Sequence, residues 1–176
     1  MNEKEKYVSM YAGALKDKYV AADLRGQASG GYGRACWGEN IVPYLKEDAP
    51  KAVCDVGCGY GVFCDKVSEF VPEVYGLDIA SVVTSNTINN PKIKFIDGEA
   101  KNIPLEDLSV DWVTSFDCLE HCAEEDLDTI FNEFMRVSKK GFIASISYIP
   151  DHPFGVTLHL TVKPQEWWVA KIQKFG

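Results

Sequence analysis

Asp55, the alternating glycines Gly57, Gly59 and Gly61, and Asp78 are the residues whose types and spacing promise chemistry. Glycines at every second position let the chain reverse sharply and let a ligand lie against bare backbone. One carboxylate stands two residues before the first glycine. The other closes the run Val74-Tyr75-Gly76-Leu77-Asp78. A carboxylate there can accept hydrogen bonds from both hydroxyls of a ribose, as does the acid about 20 residues past a dinucleotide-binding glycine turn.

These residues need a rigid frame. Ala52 to Val56 is a short apolar run bounded by glycine, which reads as a buried strand. Val62 to Phe70 can form a helix whose N-terminus presents free N–H groups and a partial positive charge. The result is a strand–turn–helix corner for a small polar ligand. Further strands are expected over Val74–Asp78, Lys94–Asp97 and Asp111–Asp117, and another over Phe142–Ser147. Between the last two, Leu127, Ile130, Phe131, Phe134 and Val137 form one helical stripe ending in Arg136-Val137, and Gly141, after Lys139 and Lys140, is a suitable C-terminal stop. Alternation of strand and helix predicts an α/β fold: a Rossmann-like, doubly wound, mostly parallel sheet with helices on both faces.

The glycine spacing is G-x-G-x-G, with Val62 where the dinucleotide fingerprint needs its third glycine. With Asp55 in front, it resembles motif I of the class I S-adenosylmethionine-dependent methyltransferases. The downstream residues agree: Asp78, then Asp97-Gly98-Glu99-Ala100 where the family usually has Gly-Asp-Ala, then Leu119-Glu120-His121, close to the Leu-(Glu/His)-His of the small-molecule-type branch. The resemblance covers about residues 50–150. It implies S-adenosylmethionine as cofactor, S-adenosylhomocysteine as product, and methyl transfer to oxygen or nitrogen of a small polar acceptor. The alternative is a non-catalytic subunit or regulator that binds the same cofactor. A nicotinamide-dependent oxidoreductase shares the corner but not the spacing.

The resemblance assigns roles residue by residue. Asp55, Gly57, Cys58, Gly59 and Gly61 would surround the methionine part, and Asp78 with Ile79 the ribose. Gly98, Glu99 and Ala100 would meet the adenine edge, and Phe116 and Asp117 would close the end of the fourth strand. Arg34 could pair with the cofactor carboxylate, with Tyr11, Tyr19 and Tyr32 closing over it. Each has a plainer reading: Asp55 as a brace for the turn, Asp78 as a helix N-cap, Cys58 as small packing, Arg34 as a loop cation. His121, Asp117 and His159 are the candidate bases for the acceptor proton, against structural, hydrogen-bonded roles for both histidines. His152 could also position substrate, and Trp167 or Trp168 could line its pocket. Cys118, His121 and Cys122 could share one helical face, but no fourth ligand is evident and no metal is expected.

Composition narrows the rest. The chain of 176 residues is one domain by length, and its 46% hydrophobic content supports a two-sided core. A formal net charge of -8 disfavours nucleic acid as substrate. The start, Met1 to Lys6, lacks an apolar run, and no segment reaches the roughly 18 residues of a membrane span. With no C-x-x-C pair, the six cysteines read as reduced thiols in a cytoplasmic protein.

Within the single domain, residues 1–48 are expected to form a helical cap or lid. Tyr7, Tyr11, Leu15 and Tyr19 give one stripe, Gly26 to Gly33 a loop, and a helix near Trp37 and Leu45 should be kinked or ended early by Pro43. Residues 50–150 are the cofactor-binding core. Residues 151–176 would carry a half-exposed strand, Val156–Lys163, and a helix opened by Pro164 with Trp168, Ile172 and Phe175 inward. The two antiparallel strands that the family usually adds are expected to be missing, leaving an edge that a homodimer could cover.

Overall fold

The computed structural model describes residues 3–12, 34–80, 88–150 and 157–175. Their elements are helices α1 (Glu3–Ala12) and α2 (Arg34–Asp48), strand β1 (Ala52–Val56), helix α3 (Val62–Val67), strands β2 (Glu73–Asp78), β3 (Ile93–Asp97) and β4 (Trp112–Phe116), helix α4 (Leu127–Val137), strand β5 (Phe142–Ser145) and helix α5 (Gln165–Ile172). Two short 3-10 turns, Leu119–His121 and Glu124–Asp126, link β4 to α4.

The five strands form one sheet, ordered β3-β2-β1-β4-β5, with every pairing parallel. β1 is buried along its whole length because it lies in the middle with helices on both sides. Alternate residues of the strands serve opposite layers. Cys54, Val56 and Val113 pack with α4 and Trp168, whereas Val53 and Val74 pack with Phe63, Val67 and Leu45 from α3 and α2. From β1 the chain builds outward through β2 and β3, then returns to the other side of β1 for β4. That reversal opens a crevice beyond the carboxyl ends of β1 and β4, where open parallel sheets hold ligands.

Three local expectations are corrected. Pro43 lies inside α2, which continues to Asp48. Burial of Val42 and Leu45 on either side is worth about 1.5–3 kcal/mol each, which offsets the roughly 3 kcal/mol that an interior proline costs. Helix α4 stops at Val137, the end expected at Arg136-Val137, and Gly141 is not its stop, because Ser138 turns to extended backbone and its hydroxyl donates to the Phe134 carbonyl. Lys139 and Lys140 pair with Asp111 and Asp48 instead of the helix end.

The third correction concerns the expected strand near the C-terminus. Residues 157–164 form no strand. Leu158 and Thr161 are buried, while Leu160 and Val162 are exposed, so period two fails. The Thr161 N–H donates to the Glu120 carbonyl and its hydroxyl to the Cys122 carbonyl. These bonds strap the segment across the β4–α4 connection and turn the polar side chain inward. The helix after it matches the expectation, with Trp168 buried and Ile172 and Phe175 against the same core.

Candidate functional site

The glycine turn leaves β1 and folds over the end of β2. The N–H groups of Gly57 and Cys58 both donate to the Leu77 carbonyl, at 2.7 and 3.0 Å. Gly57, Gly59 and Gly61 all have positive φ. At Gly57 the need for glycine is also steric: a Cβ there would lie 2.4 Å from Cys118 Sγ. The turn and the β4 exit are therefore in close contact across the crevice.

Asp78 closes β2 and is 4% exposed. Its Oδ2 accepts the Gly59 N–H and its Oδ1 the Ala80 N–H, both at 2.8 Å. A carboxylate has about four lone-pair sites, so each oxygen keeps capacity for one more donor. The brace and the ligand-holding roles are compatible in one side chain.

Asp55 is 1% exposed and sits below the turn, where Thr114 Oγ1 donates to its Oδ1 at 2.8 Å. Cys58 is buried; its contact with Cys64, together with burial, pushes its thiol well above the ordinary range. Burial and the neighbouring Asp55 charge do the same at Cys54. Both stay neutral thiols and serve packing.

Against this corner lies a cleft with about 750 Å³ of empty space counted out to solvent. Of the cofactor-binding and base candidates from the sequence, it brings together Gly57, Asp78, Ile79, Gly98, Glu99, Ala100 and His121. Gly59 touches the site through Asp78, and Gly61 is held against the Phe95 ring. Phe116 does not face the cleft; it is buried edge-on against Phe63, with ring centroids 4.8 Å apart. Asp117 follows it at φ 47° and accepts the Ser145 hydroxyl at 3.3 Å. His159 does not line the cleft but packs edge-on against His121, 4.7 Å between centroids. The side chains of Arg34 and Tyr11, together with Tyr19, Tyr32 and His152, lie outside the described residues.

Several lining residues escaped sequence reasoning. Tyr7 reaches the cleft from α1 and stands edge-on to His121 at 6.0 Å. Its place in a tyrosine stripe was legible, but its contact with a residue over 100 positions away was not. Lys101 bridges Glu99 and Asp126 at the lip, and the Asp126 contact raises its pKa. Cys118, Cys122 and Ile130 complete the far wall.

The family that matches residues 54–145 is described as a methyltransferase domain. The chain belongs to the class I S-adenosylmethionine-dependent methyltransferases. S-adenosylmethionine is the cofactor of that family. A Mycolicibacterium smegmatis protein named as an S-adenosylmethionine-dependent methyltransferase is 28% identical over 100 residues, 56% of this chain and 38% of its own. Norajmaline N-methyltransferase of Rauvolfia serpentina is 29% identical over 112 residues, 56% of this chain and 36% of its own. This methyltransferase domain thus spans less than two-fifths of the curated relatives it matches. Magnesium protoporphyrin IX methyltransferase from Synechocystis PCC 6803, solved with bound cofactor, shares the fold: TM-score 0.64, 18% identity, 82% of this chain and 76% of that one. Among the described residues of the domain, no helix is long and apolar enough to cross a membrane.

Proposed function

We propose that the chain transfers a methyl group from S-adenosylmethionine to oxygen or nitrogen of a small polar acceptor. The observation that carries this reading is Asp78. It is buried at the crevice, lines the cleft, is fixed by two backbone N–H groups, and has lone-pair capacity for one further donor on each oxygen. That donor set fits a ribose diol. Gly57 fits as well, since its missing side chain keeps the backbone open where Cys118 already crowds it.

Asp78 and Ile79 would hold the ribose, and Gly98, Glu99 and Ala100 would bound the adenine. When bound, the cofactor supplies a methyl group on a sulfonium that needs no further activation as an electrophile. What the protein must add is alignment of the acceptor and removal of its proton. His121 is the candidate group in the cleft wall for that proton. Its Nδ1–H donates to the Leu158 carbonyl at 3.2 Å, so Nε2 is the nitrogen that can take a proton in the neutral ring. Substrate would enter past Tyr7 and the lip formed by Glu99 and Lys101. β5 is an edge strand, which supports pairing with a second copy.

Isothermal titration with S-adenosylhomocysteine, followed by methyl transfer to a panel of hydroxyl and amine metabolites, tests the reading. Binding with turnover supports it. Binding without turnover on any acceptor favours the regulator, and binding of NADH in place of S-adenosylhomocysteine sinks both.

A further inference from the structure

The strap over the β4–α4 connection brings together three side chains that are unremarkable apart. Glu120, His121 and His159 each bring a ligating atom within 4.8 Å of the other two. Glu120 is fully buried, and its Oε1 accepts the Ser147 N–H at 3.0 Å. Both imidazoles meet a backbone carbonyl through Nδ1: His121 meets Leu158, and His159 meets Ile149. A carbonyl oxygen can only accept, so each Nδ1 carries the hydrogen, and Nε2 is the nitrogen through which either ring, when neutral, could ligate. An Nδ1–H held by a backbone carbonyl is the support that metal-binding histidines commonly have.

We propose that Glu120, His121 and His159 bind one divalent transition-metal ion at the edge of the cofactor cleft. Two imidazoles and one carboxylate are a donor set for zinc, iron, cobalt or manganese, with positions left for oxygen ligands. Ligands at about 2.1 Å from a tetrahedral ion stand roughly 3.4 Å apart, so the three groups, within 4.8 Å of one another, need to close by at most about 1.4 Å. Sequence spacing alone offers only Cys118, His121 and Cys122 on one helical face, with no fourth ligand and no metal expected. The fold selects His159 over the cysteines because Thr161 and Leu158 pin the strap to this connection. Since His121 also lines the cleft, the ion would border the acceptor's place. Resting on the methyl-transfer reading, this gives His121 Nε2 to the ion instead of to the acceptor proton, and it favours acceptors with adjacent oxygen atoms, one of which the ion would bind and make more acidic.

The test uses the full chain, stripped with a chelator and titrated with zinc, cobalt or manganese chloride alone. One equivalent should bind, and cobalt should give a visible d–d spectrum. His159→Ala and Glu120→Gln should each weaken binding by at least the roughly 10–100-fold that loss of a supporting contact costs at metal sites. Cys118→Ser with Cys122→Ser should leave it unchanged. Glu120 is buried, so should Glu120→Gln not fold, His159→Ala on the half-buried strap carries the test, with its thermal melt as control. No stoichiometric binding, binding unaffected by His159→Ala, or binding lost in the cysteine variant overturns the site. S-adenosylhomocysteine affinity is read in the same samples without metal. Its loss in the wild type would defeat the methyl-transfer reading while leaving the metal site standing, and the reverse pattern would do the opposite.

Discussion

Asp78→Ala separates holding a ligand from holding the turn, because the same sheet contains an internal control. At the carboxyl ends of the strands, Asp78 accepts two backbone N–H groups, from Gly59 and Ala80. At the opposite end, Asp111 accepts two as well, from Lys51 and Ala52, at 2.6 and 3.1 Å. Hydrogen bonds to a charged group are each worth about 1.5–3 kcal/mol. Water can reach both sites and replace part of the loss, so each alanine variant should cost about 2–4 kcal/mol of stability. The Asp78 variant is therefore not expected to keep the wild-type stability, although a ribose-binding role alone would allow that. Affinity for S-adenosylhomocysteine should behave differently. Asp78→Ala should lose a further 1.5–3 kcal/mol, roughly 10- to 150-fold in Kd, whereas Asp111→Ala should bind as the wild type does. Urea denaturation gives the first quantity, and calorimetric titration well below both melting temperatures gives the second. If the two variants lose stability alike and bind alike, Asp78 only braces the turn.

Gly57→Ala should lower both stability and cofactor affinity, since its Cβ would press on Cys118 Sγ and its φ of 74° disfavours a side chain; a denaturation curve and a titration like the wild type's would contradict the close approach. Glu133 is held below the usual carboxylate range chiefly by Arg136, which meets it with two nitrogens at 2.7 and 2.8 Å. Because the folded value is depressed, its stabilisation is complete above the unfolded value near 4.3 and is lost as pH falls through the lower folded one. The stability gap between wild type and Glu133→Gln should thus be flat at neutral pH and shrink only below about pH 4; a gap that closes between pH 6 and 8 would refute the assignment. In native protein at pH 8, alkylation followed by peptide mapping should spare the buried Cys54, Cys58 and Cys64 and modify Cys118 and Cys122. Bound S-adenosylhomocysteine should protect Cys118, which lines the cleft.

What was legible in the sequence follows the range of the signal. Alternating glycines, short apolar runs and the stripe from Leu127 to Val137 act over a few residues, and they fixed β1 to β5, the turn and α4. Glu99 and Ala100 could be placed at the cleft because a motif carries its own geometry. The strap at residues 157–164 was misread because alternation from Val156 to Lys163 mimics a strand, while the bonds that decide its path come from Glu120 and Cys122 far upstream. Phe116 shows the same limit. Its position at a strand end was correct, but the strand's pleat turns its ring to Phe63 and away from the cleft. Tyr7 and the pairing of His121 with His159 depend on long-range packing that no local pattern encodes.

The most direct measurement is a crystal structure of the full chain grown with S-adenosylhomocysteine. The account predicts the nucleoside in the cleft, with both ribose hydroxyls donating to Asp78 and the amino-acid end over Gly57. A ligand seated elsewhere, or one that leaves Asp78 with only its two backbone partners, would contradict it.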